Sequence, residues 1–134
     1  MTDTCIEYRA VSKSYGDNTI LSNLNLSIGR DITTVIVGES GSGKSTLLQM
    51  ANGLIVPEQG QVSVFDAKLD RDNIIATRQG IGYSVQGAGL FPHLSIFENI
   101  SLMARLQQWP DEKIRSRYHH LLELLGLDTE LSER

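Results

Sequence analysis

The chain has one cysteine, three prolines and no long apolar run among its 134 residues. Because Cys5 has no second cysteine to pair with, an internal disulfide is excluded and nothing points to an oxidising compartment. No stretch of about 20 apolar residues occurs, and the first residues lack the apolar core of a signal peptide. These absences favour a cytoplasmic chain that reaches a membrane only through a partner.

Basic residues are also scarce, since 12 Lys and Arg against 16 Asp and Glu give a formal net charge of −4. Binding to phosphate polymers needs clustered Lys and Arg, so we expect no nucleic acid partner. The 40% hydrophobic and 21% charged residues are typical of a folded protein rather than a disordered tail. At this length a single globular unit is expected.

Two alternating patterns near the N-terminus predict a small antiparallel sheet. The segment from Cys5 to Ser14 alternates apolar and polar residues, and the segment from Leu24 to Ile28 repeats the pattern. Turn formers occupy residues 15–18 between them. We therefore expect two antiparallel strands joined by a turn with extra residues.

Further strands and helices follow and favour the α/β class. The predicted strands are residues 33–37, 61–65 and 80–85, and the predicted helices are residues 46–52, 96–107 and 110–125. The β-branched run 33–37 lacks polar alternation, which suits a parallel strand covered on both faces. Gly53 and Gly126 stand where the first and last of these helices are expected to end in the left-handed conformation.

A glycine-rich segment joins the predicted strand 33–37 to the helix after it. It reads Gly38-Glu39-Ser40-Gly41-Ser42-Gly43-Lys44-Ser45-Thr46 and fits the phosphate-loop pattern of glycines, a lysine and a hydroxyl at fixed spacing. Glycine allows backbone angles closed to other residues, so successive N–H groups can point at phosphate oxygens where a helix begins. All residues of this segment are predicted to bind the phosphates of a nucleotide.

The last residues of the segment have separate expected roles. Lys44 reaches the β and γ phosphates as a cation and is a predicted catalytic residue, while the Ser45 hydroxyl is placed to bind Mg²⁺. Thr46 can add a hydroxyl or an N–H to the α-phosphate. The alternative is a surface glycine turn, which the flanking strand and helix disfavour. ATP and Mg²⁺ are the expected ligands.

A phosphate loop alone leaves kinases, GTPases, helicases and transport ATPases open. Two other features are an aromatic residue ahead of the loop, Tyr15, and the segment Ile81-Gly82-Tyr83-Ser84-Val85-Gln86, which residues 90–100 follow. In these features the sequence resembles the ATP-binding subunits of ABC transporters. Residues 81–83 and 89–93 look most like bacterial importers for quaternary-amine osmoprotectants.

The resemblance implies roles for Tyr15 and Gln86. Tyr15 matches the aromatic residue that stacks on adenine in such subunits. Gln86 matches the glutamine of the family's Q-loop, which ligates Mg²⁺, senses the environment of the attacking water and lies where a membrane domain docks. Gln86 therefore joins Lys44 as a catalytic candidate and Ser45 as a metal ligand. The alternatives are a polar residue at a strand end for Gln86 and β-edge packing for Tyr15.

The resemblance also implies a fold, that of a phosphate-loop NTPase of the ABC type, truncated in its helical subdomain. Residues 1–32 would form the N-terminal antiparallel β-subdomain, residues 33–95 part of a RecA-like core, and residues 96–134 the start of the helical subdomain. An LSGGQ-like signature, a strand ending in Asp-Glu and a switch histidine do not occur before Arg134. We expect a fragment of a longer ATPase, with a truncated gene product as the alternative.

For the complete subunit, the resemblance implies a homodimer or heterodimer that hydrolyses ATP and drives solute transport. Its partners would be membrane permease subunits, contacted through the Q-loop region on the inner face of the cell membrane, and a solute-binding protein. A soluble ABC-type ATPase without a permease and a binding-only chain remain alternatives. Hydrolysis needs further catalytic groups. In the family the strand that carries the catalytic acid lies beside the phosphate-loop strand, so its absence would expose an edge of strand 33–37, which predicts poor solubility for the chain alone.

Overall fold

The computed structural model describes residues 4–87 and 89–127, and its contacts divide the chain into two units between Tyr83 and Ser84. The strands are β1 (Thr4–Tyr15), β2 (Asn18–Gly29), β3 (Gln59–Val64) and β4 (Ala67–Lys68), and the helices are α1 (Lys44–Ala51), α2 (Ile74–Gln79), α3 (Ile96–Leu106) and α4 (Asp111–Leu125). Within these described ranges, none of the helices has the length and apolar character needed to span a membrane.

The first unit is built on one antiparallel sheet with the strand order β2-β1-β3-β4. The predicted N-terminal sheet is therefore confirmed, but the turn with extra residues is wrong. Tyr15 pairs directly with Asn18, so only Gly16 and Asp17 form the loop, and Gly16 has the positive φ of 59° that such tight hairpins favour. Strand β2 is longer than the predicted segment 24–28, because polar residues before it also pair with β1. Register shifts between β1 and β2 accommodate the positions where the alternation of apolar and polar residues breaks.

The core of the first unit lies between the sheet and α1. Its buried members are Tyr8, Val11, Leu47, Met50, Ala51, Val62 and Val64. The phenolic O–H of Tyr8 donates a hydrogen bond of 2.8 Å to the carbonyl oxygen of Leu47. Burial raises the pKa of Tyr8 to about 12, because the charged phenolate is disfavoured away from water. The sheet thus holds α1 by apolar packing and by one buried hydrogen bond.

The predicted strands 33–37 and 80–85 are not formed, since neither segment pairs with a strand in the described part of the chain. Val35 and Val37 are 74% and 84% exposed, so the expectation that both faces of the run 33–37 are covered is wrong. Ile36 and Ile81 still pack against the core. A strand needs a hydrogen-bonded neighbour, and no neighbour for these segments lies in the described ranges.

Helix α2 was not predicted, and it fixes the end of α1. Arg78 in its last turn donates from Nε to the carbonyl oxygen of Asn52 at 2.8 Å and from Nη2 to that of Gly53 at 3.0 Å. These carbonyls follow the last turn of α1, where such groups lack helical partners. Gly53 has a φ of 67°, so the predicted left-handed end of this helix is confirmed. The strand predicted at 61–65 is also confirmed, as β3.

The second unit contains α3 and α4, which confirm the two predicted helices. The rings of Phe97 and Tyr118 meet edge to face with centroids 4.9 Å apart, which packs one helix against the other. Gly126 ends α4 with a φ of 64°, as expected. The interpretation of residues 96–134 as the start of a helical subdomain extends beyond residue 127, outside the described residues.

Candidate nucleotide-binding site

The start of α1 forms an open anion site. Gly43 is its N-cap with a φ of 89°, and no side chain in the described ranges caps the helix by a hydrogen bond. The first backbone N–H groups of an α-helix lack intrahelical partners, and the helix dipole places partial positive charge there. The first turn, which begins at Lys44, contains no acidic residue that would compete with a bound anion. A phosphate group fits this end of the helix.

Two glycines of the loop are required for different reasons. Gly41 has a φ of 82°, and a Cβ built on it meets no atom of the described chain within 4 Å. Gly43 also has a positive φ, but its Cβ would lie 2.7 Å from Cγ2 of Ile20 and 3.3 Å from Cδ2 of Leu21. Gly41 is therefore needed for conformation alone, whereas Gly43 is also needed because β2 packs directly on it.

The side chain of Lys44 folds back across the loop. Its Nζ donates to the carbonyl oxygens of Gly38 at 2.9 Å and Glu39 at 2.5 Å, and to Oγ of Ser42 at 3.3 Å. All three acceptors are neutral oxygen atoms, so these bonds hold the ammonium over the loop without neutralising its charge. The backbone N–H of Ser42 donates to the Glu39 carbonyl at 3.2 Å and closes the turn below it. All three N–H donors of the ammonium are thus directed at loop oxygens, so a phosphate that binds to Lys44 has to replace at least one of these acceptors.

The hydroxyl residues after Lys44 lie in the first turn of α1. Ser45 is exposed and Thr46 is half-buried. Mg²⁺ prefers oxygen ligands and retains several waters, so one protein hydroxyl together with phosphate oxygens is a sufficient donor set. The residues present therefore fit a chain of phosphate groups together with its metal ion, with Ser45 as the group that would hold the metal.

Tyr15 lies at the end of β1 and is 50% exposed. The Nζ atom of Lys13 lies over its ring, 5.3 Å from the centroid, and 3.2 Å from Oε1 of Glu58. The hairpin that carries Tyr15 also carries Ile20, which contacts the loop at Gly43. The first unit thus brings the adenine candidate and the phosphate loop onto connected elements. Sequence analysis missed Lys13, because Glu58 lies far from it along the chain.

Gln86 is exposed and belongs to the second unit, at the residue before Gly87, whose φ is 100°. The loop 91–95 that follows is held by Asn99, a residue that sequence analysis did not single out. Its Oδ1 accepts from the N–H of Phe91 at 2.8 Å, and its Nδ2 donates to the carbonyls of Phe91, Leu94 and Ser95 at 3.0 to 3.1 Å. One amide side chain therefore makes four hydrogen bonds to the backbone of this loop.

A capping box fixes the start of α3 beside that loop. The Ser95 side chain accepts from the N–H of Glu98, and the Glu98 carboxylate accepts from the N–H of Ser95 at 2.8 Å. The hydrogen bond from the Ser95 backbone is the main reason that the pKa of Glu98 lies below its usual value. The Ser-x-x-Glu spacing is the sequence signal that could have located this helix start.

The chain is similar in sequence to a known protein family and to individual proteins. The family model described as ABC transporter matches residues 21–134. The glycine betaine uptake system ATP-binding protein YehX of Escherichia coli (strain K12) is 37% identical over 96% of this chain. The choline transport ATP-binding protein OpuBA of Bacillus subtilis (strain 168) is 36% identical over 92% of it. The chain spans 42% and 33% of the lengths of these two relatives.

Solved structures agree with the sequence comparison. An ATP-binding cassette solved as a dimer in a post-hydrolysis state with ADP and Pi is 30% identical, with a TM-score of 0.81 over 95% of this chain and 60% of that one. A part of an ABC transporter complex from Clostridium perfringens is 28% identical, with a TM-score of 0.80 over 97% of this chain and 53% of that one. These likenesses confirm the predicted ABC-type nucleotide-binding fold, and the chain belongs to the ABC transporter family.

Proposed function

We propose that this chain binds ATP with Mg²⁺ through residues 38–46, and that the whole subunit hydrolyses ATP to drive solute transport through a membrane permease. The observation that carries the proposal is the uncapped start of α1, preceded by a loop whose neutral oxygens hold the Lys44 ammonium. The free N–H groups, the helix dipole and the cation all favour a polyanion. An uncharged ligand would gain little from any of them.

Each candidate residue has a role in this proposal. The loop residues 38–46 surround the phosphates, Lys44 neutralises charge on the β and γ groups, and Ser45 holds Mg²⁺. Gln86 is proposed as the second metal ligand and as the residue that senses the attacking water, and Tyr15 as the platform for adenine. Mg²⁺ held by Ser45 and Gln86 would supply positive charge next to the phosphates.

The partners are proposed from the relatives. Two of them are named for glycine betaine uptake and choline transport, which supports a quaternary-amine solute for the transporter that contains this subunit. A related cassette was solved as a dimer, which supports pairing with a second ATPase subunit. We further propose docking to the permease through the Q-loop region at the inner membrane face, with a solute-binding protein in the complex.

The proposed subdomains are the N-terminal β-subdomain at residues 1–32, part of a RecA-like core at residues 33–95 and the start of the helical subdomain at residues 96–134.

The test is a calorimetric titration of the chain with ATP in the presence of Mg²⁺, using Lys44→Ala and the control Lys68→Ala. Charge-assisted hydrogen bonds are worth about 1.5 to 3 kcal/mol each, so Lys44→Ala is expected to weaken binding at least about tenfold. Lys68 is exposed in β4, and its replacement is expected to leave the affinity unchanged. Equal affinities for the wild type and a folded Lys44→Ala variant would contradict the proposal.

A further inference from the structure

Lys13 connects the adenine candidate to an acidic residue. Its Nζ lies 5.3 Å from the centroid of the Tyr15 ring and 3.2 Å from Oε1 of Glu58. The Lys13 side chain is only 18% exposed, whereas that of Glu58 is 50% exposed. A partly buried ammonium interacts more strongly with a ring face and a carboxylate than one in open water. The two contacts together hold the cation against the ring.

The backbone on both sides of this cluster is also fixed. The N–H of Glu58 donates to the carbonyl of Ser12 at 3.0 Å, and Ser12 pairs with Gln59 in the β1–β3 ladder. On the other edge of β1, register shifts between β1 and β2 lie on both sides of Lys13. Such irregularities change the direction in which neighbouring side chains point. Backbone pairing on both edges of β1 therefore fixes the strand positions around Lys13, and its contacts with Tyr15 and Glu58 hold the side chain.

We propose that Lys13, itself held by Glu58, is a positioning residue that orients the Tyr15 ring for the nucleobase. This inference rests on the proposed function, because a nucleotide must first occupy the phosphate loop. Tyr15 remains 50% exposed with the cation over one face of its ring, which leaves part of the residue accessible to a base. A ring that is oriented before binding loses less conformational freedom when the base arrives.

The consequence is a contribution to affinity that depends on the base and not on the phosphates. Lys13 contacts Tyr15 and Glu58, whereas the cation over the phosphate loop is Lys44. Removing the charge of Lys13 should therefore weaken the recognition of adenine selectively. A residue with a merely structural role would instead weaken the binding of every ligand of the loop to the same degree.

The experiment compares ATP with inorganic triphosphate, which has phosphates but no base. The ratio of the triphosphate Kd to the ATP Kd measures the contribution of the adenosine moiety in each variant, and the ribose is common to all of them. A cation–π contact at a partly exposed site corresponds to a factor of about two to five, which is the upper bound on its positioning effect, so Lys13→Met is expected to lower the ratio by up to that factor. Lys13→Arg, which keeps a cation, is expected to retain the wild-type ratio. Glu58→Gln removes the carboxylate that holds Lys13 and is independently expected to lower the ratio.

Two further variants calibrate the result, namely Tyr15→Ala for the full base contribution and Lys68→Met as the exposed control. The positioning role is overturned if Lys13→Met keeps the wild-type ratio while Tyr15→Ala lowers it. It is also overturned if Lys13→Met weakens triphosphate and ATP binding equally. Wild-type protein that binds both ligands with equal affinity overturns the inference but leaves the phosphate site standing. Wild-type protein that binds neither ligand contradicts the proposed function itself.

Discussion

The hydroxyl group of Tyr8 and the carbonyl oxygen of Leu47 are 2.8 Å apart, and their hydrogen bond ties β1 to the helix that begins in the phosphate loop. Both residues are buried, with exposures of 1% and 5%. The polar contact therefore lies within an apolar core, where an unmade hydrogen bond is expensive. Through it, the antiparallel sheet determines where the start of α1 lies.

Tyr8→Phe is expected to lower the free energy of unfolding by about 0.5 to 1.5 kcal/mol, because it removes this hydrogen bond while keeping the ring. Urea unfolding of the two proteins measures the difference. Tyr83→Phe is the matched control, since Tyr83 is 43% exposed. Equal effects of the two substitutions would show that the Tyr8 hydroxyl does not stabilise the fold.

The same contact predicts a stability change at alkaline pH. The pKa of Tyr8 is raised from 10.0 to about 12 by burial, so the folded state favours the neutral phenol. Its stabilisation is fully present below the unfolded pKa and is lost as the pH rises from the unfolded toward the folded value. Unfolding experiments across this range should show a steeper loss of stability for the wild type than for Tyr8→Phe. Equal losses of stability in the wild type and in Tyr8→Phe would contradict a raised pKa of Tyr8 in the folded state.

The phosphate loop offers a matched pair of glycine substitutions. Gly41→Ala and Gly43→Ala both place a side chain at a positive φ, which costs about 1 to 2 kcal/mol. Only Gly43→Ala also drives a methyl group against Ile20. We expect Gly43→Ala to reduce both thermal stability and ATP affinity more than Gly41→Ala does, as measured by calorimetry and titration. The reverse order would show that the contact between β2 and the loop is unimportant.

Asn99→Asp tests the loop 91–95 without a change of size. The aspartate keeps an acceptor for the Phe91 N–H but replaces the donor to the carbonyls of Phe91, Leu94 and Ser95 with a charged oxygen. We expect backbone amides of this loop to exchange with solvent at least about tenfold faster, because the charged oxygen would face carbonyl oxygens to which the amide donated. Glu112→Gln, on the exposed side of α4, is the control. Unchanged exchange would show that the Asn99 amide does not hold the loop 91–95.

The phosphate loop and α1 could be predicted from the sequence because their signals are local. Glycines at fixed positions, a lysine and a following apolar helix lie in one short run, and α1 with Gly53 as its left-handed end forms as expected. The helices α3 and α4 carried similar local signals, in their apolar faces and in the stop at Gly126. Local chemistry was sufficient for these elements.

Elements that depend on distant partners were predicted less well. Residues 33–37 have strand composition, yet a strand forms only beside a neighbour, and Val37 remains exposed in the described structure. Helix α2 is short and is stabilised through Arg78 by carbonyls at the end of α1, which no local pattern indicates. The pairing of Lys13 with Glu58 likewise joins residues 45 positions apart. The sequence shows the composition of these segments but does not indicate which distant residues they contact.

The most direct test of the central claim is whether the chain recognises the phosphates of ATP. A competition titration with ATP and AMP in the presence of Mg²⁺ compares ligands with the same base and sugar. The loop is built around an ammonium and free helical N–H groups, so we expect ATP to bind at least about tenfold more tightly than AMP. Equal affinities for ATP and AMP would contradict the account, because binding would then not depend on the phosphate loop.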